Sequence, residues 1–286
     1  MVSQMKLLQK KYKNKEDLKN KLINNNINEI SSMSQEELEE LVLYLNHLYY
    51  NDESLLGDSL YDVIKDYLEE HFPKSSILNE VGSIPKKNKV KLPFYMASMK
   101  KLKPNENNIQ NWFKKYKGPY VVSDKLDGTS GMLYFKNNNV KMFTRGSHDY
   151  GRDISHLIPY LINIPTNNIQ EKVNSFLSQK INSFAIRGEI ILEKKKFEQY
   201  QKEGFKSGSR SIVNALVIKK EVDKKLATDA DFVLFEIVEP RLPKIQQFEL
   251  LKYLGFKVSF NKKFDTLDKE KLSNILDDRR KNSIYD

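Results

Sequence analysis

Lys125 and Asp127 stand two positions apart in SDKLDGTSG (123–131), a spacing that puts both on one face if the chain is extended there. A lysine between a strand and a glycine turn is well placed at the floor of a cleft, where its amine can act as a nucleophile. The same segment also reads as a plain surface turn, because Asp-Gly is a common turn dipeptide. Further polar residues accompany it. FTRGSHDYGRD (143–153) supplies Arg145 at the end of a strand, followed by two glycines. FAIRGEIIL (184–192) sets Arg187 and Glu189 in an otherwise apolar strand. Alternation turns these two to one side and Ile186, Gly188 and Ile190 to the other. Such a pair must be matched or face a cleft, since unpaired burial is costly; an edge strand with a salt bridge is the alternative. GSRS (208–211) adds Arg210 in a glycine-serine loop able to wrap phosphate. Guanidinium and ammonium donors of this kind suit reactions in which charge builds on phosphate oxygens. A lysine must shed its proton to attack, and an unperturbed one holds it to about pH 10.4. Nearby cations and partial desolvation lower that value.

The elements that must position these residues fall into two textures. Residues 1–78 read as mostly helical, with a capping box formed by Ser34 and Glu37 ahead of Leu38, Leu41, Val42, Leu45 and Leu48 at helical spacing. After a break at 51–54, a second helix is expected over 58–72, capped by Asp58 and closed by Pro73. From residue 79 to 286, strand-like runs at 120–126, 131–135, 140–145, 183–192 and 231–239 alternate with helical stretches at 109–116, 169–178, 197–203 and 245–254. That pattern predicts an α+β fold with a small helical domain, 1–78, in front of a mixed-sheet domain, 79–286.

Composition narrows the chemistry. The 286 residues carry a formal net charge of +10 and a sequence pI of about 9.3, which favours a polyanionic partner. The chain has no cysteine, so disulfides, cysteine zinc sites and thiol nucleophiles are excluded. Its four histidines, at 47, 71, 148 and 156, have no metal-site spacing. No apolar run reaches 18 residues and the polar N-terminus has no signal-peptide core. A cytoplasmic, viral or nucleoid-associated chain, not secreted and without a membrane partner, is expected.

The ordered series KLDG (125–128), TRG (144–146) and RGE (187–189) resembles the nucleotidyltransferase motifs of polynucleotide ligases and RNA-capping enzymes. YMASM (95–99) resembles the segment before the lysine that touches the nucleotide. LYYNDESLLGDSLYD (48–62) is similar to the signature of the helical domain found only in NAD-dependent DNA ligases. The resemblance covers about residues 40–286. It implies a nucleotidyltransferase (ATP-grasp-like) sheet, NAD as adenylate donor, Mg2+ as helper ion, nicked duplex DNA as substrate of the full-length enzyme, and a monomer. Lys125 is implied as the residue that becomes adenylated, with Asp127 and Glu189 on ribose hydroxyls and Arg145 and Arg210 on phosphate. Glu189 is also a candidate to position the divalent ion, and no dedicated protein metal site is expected. Ser98, Met99 and Ser123 are implied against the adenosine; Ser123 stands where the family carries a glutamate. Tyr49 or Tyr50 is implied to stack on nicotinamide, with Asp58, Tyr61 and Asp62 on its ring and ribose. RKNSIYD (280–286) resembles the stretch leading into the family's later lysine motifs, which are expected beyond it. An ATP-dependent DNA or RNA ligase fits KLDG, TRG and RGE equally well. A non-catalytic basic nucleic-acid-binding module accounts for the charge but leaves Arg187 and Glu189 without a reason.

Overall fold

The computed structural model describes residues 2–24, 26–51, 58–79, 89–99, 102, 106–137, 139–146, 149–205, 208–219 and 221–286. Helices α1 (Val2–Lys11), α2 (Lys15–Asn24), α3 (Asn26–Ser31), α4 (Gln35–Asn51) and α5 (Asp58–His71) come first. The capping box forms as expected: the Glu37 backbone N–H donates to Ser34 Oγ at 3.2 Å, and the Ser34 N–H donates to Glu37 Oε2 at 2.9 Å. Leu38, Leu41, Val42, Leu45 and Leu48 are all buried. They share one apolar cluster with Leu22, Ile30, Ile64, Leu68 and Ile77. Asp58 is the first residue of α5, one step inside the helix that it was expected to cap.

The second body opens with β1 (Lys89–Lys91), α6 (Glu106–Lys115) and β2 (Tyr120–Ser123). It continues through β3 (Thr129–Lys136), β4 (Asn139–Thr144), β5 (Tyr150–Arg152), α7 (Ile169–Leu177), β6 (Ser183–Ile191) and α8 (Lys194–Lys202). Then follow α9 (Ser209–Ile218), α10 (Lys224–Asp229), β7 (Asp231–Glu239), α11 (Lys244–Tyr253), β8 (Asn261–Phe264) and α12 (Lys269–Asn282). Four strands form an antiparallel sheet in the order β4-β3-β6-β7, while β1 pairs with β5 and β2 with β8. The fold class is α+β, as expected.

Side-chain alternation gives this sheet two different faces. Leu133, Phe135, Ile186, Ile190, Phe232 and Leu234 enter the main core with Val173 of α7, Val213 and Leu216 of α9 and Leu251 of α11. Burying each such side chain contributes about 1.5–3 kcal/mol, so one face of the sheet is committed to packing. On the opposite face Ala185 and Met132 join Leu92, Met96 and Phe143, and Ile191 and Val233 join Leu126 and Tyr285. Between those two small clusters lie Ser130, Arg187 and Glu189.

Candidate active site

The register of β3 against β6 sets Ser130 opposite Glu189 and Met132 opposite Arg187. β6 lies between β3 and β7 in the sheet interior, so the edge-strand alternative for Arg187 and Glu189 does not hold. Two glycines permit the close approach. A Cβ on Gly188 of the RGE motif would come within 2.4 Å of the Val233 carbonyl oxygen, and one on Gly128 of KLDG within 2.5 Å of the Ile190 carbonyl. The absent side chains let β7 and the lysine loop lie directly on β6.

Arg187 is buried and bonded to three partners. Its Nη1 donates to the Ala97 carbonyl at 2.7 Å and lies 3.5 Å from Glu236 Oε2; its Nε donates to Ser130 Oγ at 3.3 Å. The guanidinium also stands over the Phe235 ring, 5.4 Å from its centroid. Through Ala97 it ties the 95–99 segment to the sheet. Met96 in that segment is buried while Ser98 and Met99 are exposed, so the implied nucleotide-facing residues directly follow the two anchored ones, Met96 and Ala97.

Burial pushes the Glu189 carboxyl up to about 7, against the opposing pull of Arg210, Arg187, a Ser130 hydrogen bond and Arg145. With burial outweighing the attraction of three arginines, the carboxyl stays close to its protonation midpoint at neutral pH. Arg145 follows β4 and is half-buried, its N–H donating to the Ser130 carbonyl at 3.1 Å. Arg210 is in the first turn of α9, not in a loop as the glycine-serine composition suggested. Its helix forms because Ile212, Val213, Leu216 and Val217 give a buried stripe. From there Arg210 Nη1 donates to Asp127 Oδ1 at 2.9 Å.

The sign of the Glu189 titration is testable. Between pH 4.5, an ordinary glutamate value, and about 7 the folded chain holds a proton that the unfolded chain has lost. Stability from this group is therefore present at low pH and falls as pH rises through that window. Glu189→Gln is expected to melt higher than the parent at pH 8 and to lose the slope between pH 5 and 7. Melting curves that run parallel across that range would show that Glu189 does not titrate there.

The lysine loop spans 124–128, between β2 and β3. Asp124 accepts from Arg279 Nε at 2.9 Å and from Arg279 Nη2 at 2.8 Å. Leu126 packs with Tyr285, Ile191 and Val233. The Asp127 N–H donates to the Asp286 carbonyl at 2.9 Å. Lys125 is exposed among these neighbours. Ser123 ends β2 opposite Asn261 and is half-buried. Sequence reasoning missed Arg279 and Tyr285 entirely. The one available signal was a second carboxylate, Asp124, beside the lysine.

The helical pair α4–α5 lies near this site, because α4 packs against α9, the helix that bears Arg210. Tyr61 is half-buried in the helical seam, its hydroxyl donating to Asn46 Oδ1 at 2.8 Å, and Asp62 is exposed. The side chains of Tyr49, Tyr50 and Asp58 lie outside the described residues. Among the described residues no group of three or more histidines and carboxylates is placed to hold a metal ion, and no helix is long and apolar enough to cross a membrane.

A glutamate on the polar face of an antiparallel sheet, beside an exposed lysine loop whose aspartate pairs with an arginine, is the arrangement of a nucleotidyltransferase domain of the ligase type. The chain belongs to the NAD-dependent DNA ligase adenylation domain family, whose sequence model matches residues 94–282. A DNA ligase of Acanthamoeba polyphaga mimivirus is 39% identical over 260 residues, covering 90% of this chain and 39% of that protein. A DNA ligase of Mycoplasmopsis pulmonis is 27% identical over 282 residues, 85% of this chain and 39% of that protein. One from Helicobacter pylori strain P12 is 30% identical over 200 residues, 63% of this chain and 29% of that protein. The chain thus spans about two fifths or less of the length of these relatives.

Proposed function

We propose that this chain is the part of an NAD-dependent DNA ligase that takes AMP from NAD onto Lys125. The carrying observation is that Lys125 is exposed in a loop anchored on both sides, whose Asp127 pairs with Arg210, an arginine that also acts on the Glu189 carboxyl. In this reading the Lys125 amine attacks the α-phosphorus of NAD, a phosphoramidate to AMP forms, and nicotinamide mononucleotide leaves as a phosphate. Arg145 and Arg210 balance charge on the phosphate oxygens. Asp127 holds a ribose hydroxyl, with Arg210 fixing its carboxylate. Glu189 holds ribose as well. AMP then passes to the 5′-phosphate of nicked duplex DNA, and the 3′-hydroxyl attacks that phosphate and displaces AMP, sealing the strand; the net positive charge of +10 supports such a polyanionic partner.

Magnesium suits this donor set only as an ion carried in on the pyrophosphate, because Mg2+ is commonly held by one or two carboxylates together with substrate phosphates. Glu189 is the carboxylate that would meet it, and bound there it would neutralise charge on the leaving phosphate. Two domains, 1–78 and 79–286, are part of the same reading, supported by their separate apolar clusters. Ser98, Met99 and Ser123 face the adenosine. Tyr49 or Tyr50, Asp58, Tyr61 and Asp62 receive the nicotinamide mononucleotide half, which the packing of α4 on α9 brings toward Arg210.

Calorimetric titration with NAD, nicotinamide mononucleotide and ATP tests the choice of donor. Binding of the mononucleotide that is lost in an Asp58→Ala, Asp62→Ala double variant is expected. ATP binding that survives those changes, with no mononucleotide signal, would assign the helical pair to packing and the donor to ATP.

A further inference from the structure

Three of the ties that hold the loop carrying Lys125 come from one place. Of its five residues, Asp124 is gripped by Arg279 in a two-pronged ion pair, at 2.9 and 2.8 Å. Leu126 is buried against Tyr285, and the Asp127 N–H donates to the Asp286 carbonyl. Lys125 alone is exposed. The three anchors all come from residues 279–286, the last turn of α12 and the four residues after it. The Arg279 grip is sheltered: the two side chains are only 21% and 13% exposed. Its geometry is fixed from behind, since the guanidinium lies over the Phe260 ring at 4.2 Å from the centroid. The carbonyl of that same Phe260 accepts from the Asp124 N–H at 3.1 Å. Side chain and backbone of Asp124 are thus both held, through Phe260, by one stack. The rest of α12 contributes no buried residue, so Arg279 is its principal tie to the loop.

We propose that Arg279 is a positioning residue for Lys125: its planar, two-pronged grip on Asp124 fixes the backbone immediately before the nucleophile and so sets where the amine is presented. This rests on the reading of Lys125 as the AMP acceptor, and it extends that reading to a helix lying 155 residues away in sequence. Arginine suits the task because two parallel bonds define an orientation that one ammonium cannot. Displacement of a reacting group by about 1 Å costs on the order of 100-fold in rate.

Two readouts test it. In hydrogen–deuterium exchange, Arg279→Ala is expected to raise exchange of the peptide spanning 124–128 while the β6 peptide, 183–191, stays protected. In the protein at its natural length, the same change is expected to slow AMP attachment about 100-fold with the half-saturating NAD concentration unchanged. Asp124→Ala is expected to do the same, and the double variant to be no worse than either, because both remove one interaction. Arg279→Lys is expected to fall between, and it decides the matter should Arg279→Ala also expose the β6 peptide. Unchanged exchange at 124–128, effects that multiply, a parental rate in Arg279→Lys, or a loss confined to NAD affinity would each overturn the proposal. A parent protein that forms no AMP adduct on Lys125 would instead strike the functional reading, leaving the exchange measurement to judge whether Arg279 holds the loop.

Discussion

Lys125→Ala is expected to abolish covalent AMP attachment, a fall of at least about 10⁴-fold, with the melting temperature close to that of the parent. The magnitude follows from the role: a covalent intermediate has no route once its nucleophile is gone. The stability expectation follows from position. Lys125 is exposed in a loop whose neighbours carry the packing, and substitutions at such places usually stay within about 0.5 kcal/mol. Lys125→Arg sharpens the test, since a guanidinium keeps the charge but stays protonated and cannot attack. Intact-mass measurement after incubation with NAD reads the adduct directly. An adduct of unchanged yield in Lys125→Ala would move the nucleophile elsewhere and remove the basis of the proposed mechanism.

The largest stability effect is expected at Arg187. Its guanidinium serves Ala97, Ser130 and Glu236 together and covers the Phe235 ring. Arg187→Ala leaves a carbonyl and a carboxylate short of a partner beside a cavity, a combination worth about 3–5 kcal/mol. At about 2–4 °C per kcal/mol for a chain of this size, the melting point should drop by roughly 10 °C. Arg187→Lys should recover only part, because one ammonium cannot reach three acceptors spread around a planar fork. The same variants should bind nucleotide poorly, since Ala97 is the point at which the Ser98–Met99 segment is held to the sheet. Calorimetric melts showing less than about 1 kcal/mol of loss would mean that the three acceptors find water or other donors at little cost.

These two residues show where legibility in the sequence ended. The KLDG, TRG and RGE motifs were visible, and the structure pairs Arg210 with Asp127 of the lysine loop and sets Glu189 opposite Ser130 on the sheet. Most helices and strands lay within a few residues of their expected places, because periodic apolar residues report directly which side of an element is buried. The helix α9 was read as a loop at its start, since glycine and serine outweigh a short apolar stripe in local reading. Arg187 looked like a member of the reactive face, yet its Nε and Nη1 bond Ser130, Ala97 and Glu236.

The sequence by itself determined the α+β class, the helical capping box, the strand alternation that separates a packed face from a polar one, and the identity of the motif residues. Each of these depends on neighbours a few positions apart along the chain. Only the tertiary structure decided which polar group meets which: Arg279 with Asp124, Arg210 with Asp127 and Arg187 with Ala97. It also decided that burial would outweigh three arginines at Glu189. The physical reason is that periodicity encodes the direction of burial but not the partner waiting there. Pairing across tens of residues is fixed by strand register and helix packing, and the balance of desolvation against charge exists only once those groups are assembled.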